Sequence, residues 1–424
     1  MTVQLISFHH RLAHLGGHKY AEVLGLIPEA QARGLDILLF MHAAADTATR
    51  QAFPEGRAVL HDPTFLMTLS FDQRCADFTS MLREHLDQII RKDDWVFVTT
   101  ATQCELRGLV HWIEQVPQSR RPWIFTCFHS DRWNRYGDEE RARQLAEFQT
   151  LATDLAELDG DRRRRLVIGA VTEGLCKELA GLLGIAVELV PMMMPSSPFV
   201  PNDEKSPGEA LVAFLGGARP EKGGHRLASI FRDMATNRQL RFLVQLANEQ
   251  LSAEQFSELG QAAAAPNVSV VYGALEQSRY RSLIAKADIL LLPYDRIPYR
   301  QRPSAIFVEG ASTGRPIVAP SGTWMADQID NARAAGVTYE GDDVQAIVAA
   351  VQTAAATLPE LMARARDRSA YWRGKMEVGS VLDWFATEIA RRQASGARAF
   401  FSRMAAMLWP YVPGRAHERN RTIQ

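Results

Sequence analysis

The sequence is poor in cysteine, nearly neutral in charge and without a long apolar run. Each shortage removes a class of protein. Only four cysteines occur in 424 residues, Cys75, Cys104, Cys127 and Cys176, and no two form a CxxC pair. Neither a zinc site nor a disulfide framework is indicated. Small, partly buried hydrophobes in a reducing compartment are the plainer reading. The formal net charge is −1, from 48 Lys and Arg against 49 Asp and Glu, so no global field draws nucleic acid. No stretch approaches the ~20 apolar residues of a membrane span. The opening run, Met1 to Phe8, is short, has no basic leader and reads as a first strand. A cytoplasmic protein is expected. The segment after that strand, His9-His10-Arg11-Leu12-Ala13-His14-Leu15-Gly16-Gly17, lacks the GxGxxG fingerprint, which counts against a dinucleotide enzyme.

What is present is an ordinary globular composition, 46% hydrophobic and 23% charged, over a length that suits two domains at roughly 100–200 residues each. Short apolar runs at Val3–Phe8, Asp36–Phe40, Trp95–Thr99, Trp123–Cys127 and Leu166–Ala170 predict strands. Amphipathic segments such as Lys19–Ala32, Phe71–Ile90 and Glu139–Leu158 separate them. This alternation predicts a parallel sheet covered on both faces. Pro191, Pro195, Pro198, Pro201 and Pro207 then predict a linker. The alternation restarts beyond it. Strands are expected at Leu211–Leu215, Leu240–Gln245, Val268–Val271, Ile289–Leu292 and Pro316–Ala319. Helices are expected at His225–Met234, Glu249–Ala264, Glu276–Ala285, Ser304–Thr313 and Asp343–Thr357, with a last one from Val381 to about Trp409. The fold class is α/β, with two Rossmann-type units in succession.

Two segments carry chemistry. The first is the strand-to-helix turn Gly216-Gly217-Ala218-Arg219-Pro220-Glu221-Lys222-Gly223-Gly224. In parallel α/β sheets, ligands bind outside the carboxyl ends of the strands. Glycines such as Gly217 let a backbone approach a phosphate, and Arg219 and Lys222 add two charges that suit a diphosphate. The bland alternative is a surface turn with solvated charges. The second segment runs from Tyr294 to Pro320. A loop with Arg296, Tyr299, Arg300 and Arg302 leads to Ser304, an N-cap for a helix whose first N–H groups could hold a phosphate. Glu309 lies in that helix among apolar and small neighbours. A buried carboxylate needs partners, and ribose hydroxyls could supply them.

Phe214 to Gly223, together with Val308-Glu309-Gly310-Ala311-Ser312-Thr313-Gly314-Arg315-Pro316-Ile317-Val318-Ala319, resembles the nucleotide-sugar domain of retaining GT-B glycosyltransferases, the family-four class above all. Val167 to Leu175 resembles more weakly the last strand and helix of that family's first domain. The resemblance implies two Rossmann-like domains facing across a cleft. An acceptor-binding domain would cover 1–195, a nucleotide-sugar domain 196–378, and a C-terminal helix, 379–424, would cross back to the first domain. It implies that Arg219 and Lys222 bind the donor diphosphate and neutralise it as it leaves. Glu309 would bind the ribose, and the start of the Ser304 helix would approach the phosphates. Gly16 and Gly17 would lie at the cleft near donor phosphate and acceptor, and His129 beside the donor sugar. An ordinary helix-start turn and a structural histidine are the competing readings of these three. The family often has two glutamates eight residues apart, but the first position here is Gln301, which can hydrogen-bond a sugar and carries no charge. The usual glycine after Ser304 is Ala305.

The expected reaction moves a sugar, with retention and without metal or cofactor, from a nucleotide diphosphate sugar to a saccharide or lipid-linked saccharide. Its setting would be bacterial polysaccharide or glycoconjugate synthesis, in the cytoplasm or at the cytoplasmic face of the inner membrane. A nucleotide-sugar 2-epimerase and a non-catalytic nucleotide-sugar-binding protein of the same fold are the alternatives. Asp159-Gly160-Asp161 resembles a metal-binding Asp-x-Asp, but its context favours a solvated turn. The Arg162–Arg165 run reads as a solvated loop or as a contact with an anionic membrane surface. Phe400 to Tyr411 could lie in a membrane interface or pack across the domains.

Overall fold

Two parallel sheets organise the chain. The computed structural model describes residues 2–15, 17–61, 69–135, 137–193, 209–246, 251–273 and 275–408, with side chains described except at 17, 18, 277, 376 and 396–408. The first sheet has seven strands: β1 (Gln4–His9), β2 (Asp36–His42), β3 (Arg57–Leu60), β4 (Trp95–Val98), β5 (Trp123–Phe128), β6 (Leu166–Ala170) and β7 (Glu188–Leu189). Their spatial order is β3-β2-β1-β4-β5-β6-β7. The second sheet has six: β8 (Ala210–Phe214), β9 (Leu240–Leu246), β10 (Val268–Tyr272), β11 (Ile289–Leu291), β12 (Ile317–Pro320) and β13 (Gly336–Tyr339), in the order β10-β9-β8-β11-β12-β13. Strand order reverses between β1 and β4 in one sheet and between β8 and β11 in the other. Such switch points open a crevice at the carboxyl ends of the strands.

Burial explains why the central strands are apolar throughout. Every residue of β5 and β6 is buried, because helices cover both faces of the sheet. All the strands expected from the sequence are present, with ends shifted by at most two residues. The strands that were not foreseen, β3, β7 and β13, are sheet edges, where less burial leaves a weaker apolar signal. The helix Gln103–Gln115 was also missed. Its signature is a capping box: the Thr102 N–H donates to Glu105 Oε2 at 2.8 Å.

One reading is corrected. Asp159–Arg165 is neither a solvated turn nor a loop. Asp159 caps a short helix, Gly160–Arg165, and all four arginines are engaged within the protein. Arg162 donates to the Ile113 carbonyl, Arg163 to those of Leu155 and Ala156, Arg164 to Asp161, and Arg165 to Asp93 while lying over the Trp123 ring. Among the described residues, no single helix is long and apolar enough to cross a membrane.

The last helix, Gly379–Leu408, leaves the second domain and returns to the first. Phe385 is fully buried, stacked on Phe125 at 3.9 Å between ring centroids and edge-on to Phe97 at 4.8 Å. Arg33 pairs with Asp383 at 2.9 Å, and Arg392 donates to the Leu166 carbonyl. The side chains of Phe400 to Tyr411 lie outside the described residues. Phe385→Ala is expected to lower stability by about 3–5 kcal/mol, because it opens a cavity under this strap. Chemical denaturation measures it, and a loss below about 1 kcal/mol would mean that the strap does not depend on this contact.

Candidate active site

The site is built at the β8/β11 switch point. Gly216 leaves β8 with φ of +99°, a conformation L side chains rarely adopt. Its N–H donates to Gln245 Oε1 at 2.9 Å, and Gln245 donates in turn to the Gly273 carbonyl. This amide ties together the carboxyl ends of β8, β9 and β10. Arg219 then starts a single 3-10 turn, Pro220–Lys222. Gly223 closes it at φ of +76°, so near β11 that a Cβ would sit 1.9 Å from the Pro293 carbonyl oxygen. Arg226 donates to that same carbonyl and pairs with Asp295 at 2.8 Å, while the Asp295 N–H donates to the Glu221 carbonyl. These bonds seat the Lys222 turn on the exit of β11. Lys222 Nζ lies 5.7 Å from the centre of the Tyr294 ring. Arg219 pairs with Glu221 at 3.3 Å.

Past β11, the chain makes a short turn, Arg296–Tyr299, and then enters the helix Ala305–Ser312. Ser304 is buried and caps this helix, its Oγ accepting from the Phe307 N–H at 3.3 Å. The leading N–H groups of a helix have no partner inside it, and the dipole favours an anion there. Ile306 lies 3.1 Å from where a Cβ on Gly216 would stand, so the Gly216–Gly217 turn and the helix N-terminus converge. One and a half turns on, Glu309 hydrogen-bonds the Tyr280 side chain. Arg219, Lys222, Gly217, Ser304 and Glu309 therefore come together, as the sequence led us to expect. Tyr280, Tyr294 and Gln245 were not foreseen. They are single residues at strand ends and in a helix, without a motif of their own.

Charge in this crevice is finely set. Burial, and then the neighbouring charges of Arg219 and Arg302, push the Lys222 ammonium down to about 7. Burial pushes the Glu309 carboxyl up to about 7, opposed by its bond to Tyr280 and by Arg281 and Lys222. A phosphate beside Lys222 favours the charged amine, so binding takes up a proton above pH 7. Ribose hydroxyls donating to Glu309 favour the carboxylate, so binding releases a proton below pH 7. For a nucleoside diphosphate held by these two groups, affinity would peak near neutral pH. In Lys222→Arg the alkaline limb should vanish, because a guanidinium keeps its proton there. Calorimetric titration across pH 5.5 to 9 checks this, and an alkaline limb that persists in Lys222→Arg contradicts it.

The first domain faces this crevice through the ends of β5 and β6. Arg300 bridges to Asp131 and Glu178 there, at 2.9 Å each, and Arg333 pairs with Glu173 at 2.9 Å. Glu178 also accepts from Trp133 Nε1 and Asn134 Nδ2. Thr172 Oγ1 donates to the Gln301 carbonyl at 3.1 Å, and the Gln301 amide lies against Gly174, which has no Cβ to displace it. Gln301 thus sits where the two domains meet. His129 follows β5, half-buried, with Nε2 2.7 Å from the Thr99 carbonyl. A carbonyl only accepts, so Nε2 carries the hydrogen. Gly17 starts the helix Gly17–Ala32 beyond β1, and Gly16 lies outside the described residues. The four cysteines are free thiols, three of them buried.

Two Rossmann-like domains facing across a cleft, strapped by a returning helix, constitute the GT-B architecture. No protein-family model matches the chain, and no curated protein sequence matches it. Solved structures do. Sucrose-phosphate synthase from Thermosynechococcus elongatus is 14% identical with a TM-score of 0.59, covering 94% of this chain and 99% of that one. Anabaena HepE in complex with UDP and glucose is 13% identical with a TM-score of 0.60, covering 91% and 99%. A glycosyltransferase from Rickettsia africae is 9% identical with a TM-score of 0.60, covering 91% and 98%. At these identities the likeness is one of fold, and it extends over nearly the whole chain.

Proposed function

We propose that this protein transfers a glycosyl group from a nucleoside diphosphate sugar to an acceptor hydroxyl. The observation that carries the reading is the convergence of Arg219, Lys222 and the capped start of the Ala305–Ser312 helix at the β8/β11 crevice, with Glu309 beside them. The diphosphate would lie between the two cations and the helix N-terminus, and the ribose would donate to Glu309. Charge builds on the diphosphate as the glycosyl bond breaks. Fixed cations in a water-poor crevice stabilise that charge more in the transition state than in the ground state. Solved structures of the same fold hold UDP and glucose, or UDP-glucose, which supports such a donor here.

Retention of anomeric configuration and independence from metal are part of the proposal and rest on the sequence resemblance. So do an acceptor that is a saccharide or lipid-linked saccharide and a setting in bacterial polysaccharide or glycoconjugate synthesis, in the cytoplasm or at the membrane's cytoplasmic face. On the same resemblance, His129 and Gln301 are assigned in this proposal to the sugar end of the donor, and Gly16 and Gly17 to the cleft near the donor phosphate and the acceptor. The test is incubation with UDP-, GDP-, ADP- and TDP-sugars, with and without an acceptor extract, following nucleoside diphosphate release. Acceptor-dependent release is expected. Conversion of the donor to its C2 epimer without acceptor would replace this reading with an epimerase, and inertness toward every donor would leave only a binding protein.

A further inference from the structure

The donor diphosphate, in the reading above, engages Arg219 and Lys222. Two further guanidinium groups stand beside them without that task. Arg302 stacks on Tyr299, its Cζ 5.0 Å from the ring centre, and it has no hydrogen bond or ion pair among the described residues. Tyr299 in turn packs against Tyr294, the ring under Lys222, with centroids 4.4 Å apart and the rings tilted by 48°. Arg135 comes from the first domain. It ends the short turn Arg132–Arg135, which packs against the Arg296–Tyr299 turn of the second domain. Its Nε and Nη2 are buried with no hydrogen-bond partner. The charges of Arg302, Arg219 and Arg135 all act on the Tyr299 hydroxyl, and Arg302 acts on Arg135 itself.

Other arginines of this chain, Arg165 among them, leave one buried nitrogen without a partner, whereas Arg135 leaves two. The Arg162–Arg165 run shows the contrast within the same chain, since each of those side chains reaches a carbonyl or a carboxylate. The acid that acts on Arg135 is Asp131: its Oδ2 takes hydrogen bonds from Arg300 at 2.9 Å and Asn134 at 3.3 Å, while its Oδ1 is buried without a hydrogen bond among the described residues, to Arg135 or to any other group. A half-buried guanidinium with two buried, unpartnered nitrogens, beside a second one with no hydrogen bond or ion pair, calls for an anion from outside.

We propose that Arg135 and Arg302 form a second anion subsite across the cleft, which takes a phosphate monoester carried by the acceptor. Two guanidinium groups match the charge of a phosphate monoester, about −1.5 to −2 at neutral pH, better than the single charge of a carboxylate. Their planar forks suit its oxygens in paired hydrogen bonds. The acceptor is the carrier because Arg135 belongs to the domain opposite the nucleotide-binding turn and helix. The assignment rests on the proposed donor site, since it takes Arg219 and Lys222 as already engaged by the diphosphate.

The experiment titrates glucose 6-phosphate, glycerol 3-phosphate and inorganic phosphate into the full-length protein, with glucose and glycerol as neutral counterparts. It is run with and without whichever of UDP, GDP, ADP or TDP binds, at saturation. Each phosphate ester is expected to bind about tenfold or more tightly than its neutral counterpart, and Arg135→Gln and Arg302→Gln should each remove about that factor. Nucleoside diphosphate affinity should be unchanged in Arg135→Gln. Thermal unfolding checks both variants, and if Arg135→Gln does not fold, Arg302→Gln carries the same comparison. Phosphate esters that bind no better than their neutral counterparts would overturn the subsite. So would affinity unchanged in the variants, or phosphate binding abolished by saturating nucleoside diphosphate. Failure of every nucleoside diphosphate to bind, with phosphate binding intact and sensitive to Arg135→Gln, would instead strike the donor reading alone.

Discussion

Lys222→Ala is expected to lower donor turnover by about 10²–10³-fold with little change in stability, on the scale of removing one fixed group that stabilises an oxyanion. The side chain reaches no carboxylate or carbonyl in the described structure. Its one contact of note is the Tyr294 ring, and burial holds its ammonium down to about 7. Folding therefore gains little from its charge, whereas a leaving diphosphate gains a great deal. The loss should fall mainly on kcat, because charge on the diphosphate grows as the bond to the sugar breaks. Arg219→Ala should act in the same direction and less strongly, since Arg219 is more open to solvent and shares its charge with Glu221 at 3.3 Å. Steady-state kinetics with the donor identified by the panel measures both. Lys222→Ala with kcat within a factor of about two of the native value would remove the residue from catalysis.

Glu309→Ala is expected to weaken nucleoside diphosphate binding by about 10- to 100-fold, the scale of hydrogen bonds to a charged group. The carboxylate lies in a helix whose other faces are buried, bonded to Tyr280 and in the field of Arg281 and Lys222. Its free lone pairs are the ones a ribose would use. The native protein should therefore prefer a ribonucleoside diphosphate over its 2′-deoxy analogue, and Glu309→Ala should erase that preference. An unchanged preference would place the ribose elsewhere, even if overall affinity falls.

The central strands were readable because burial on both faces made them apolar throughout, as in Trp123–Phe128. Three of the four edge strands were not; Arg57–Leu60 and Glu188–Leu189, for example, are short and only partly covered. The geometry of the crevice at β8 and β11 was readable for a related reason. Gly216, with its positive φ, and the cations Arg219 and Lys222 lie close in sequence at the end of β8, and Ser304 directly precedes the helix it caps, so local chemistry dictates each. The facing half was not. Arg300 meets Asp131 and Glu178 across separations of 169 and 122 residues, and no pattern in one sequence announces such a meeting. Gln301 was expected at the donor sugar, and its position against Gly174 followed only from how the two domains dock. The arginine run at 162–165 misled for the opposite reason. Four adjacent charges suggest solvent, yet a short helix turned each toward an acceptor within the protein.

The central claim is that the crevice between β8 and β11 holds a nucleoside diphosphate. Calorimetric titration of UDP, GDP, ADP and TDP into the native protein and into Arg219→Ala/Lys222→Ala at neutral pH tests it most directly. At least one nucleotide is expected to bind the native protein with a 1:1 stoichiometry and a Kd in the micromolar range, and to lose about tenfold or more of that affinity in the double variant. Equal binding to both proteins, or no binding to the native one, would contradict it.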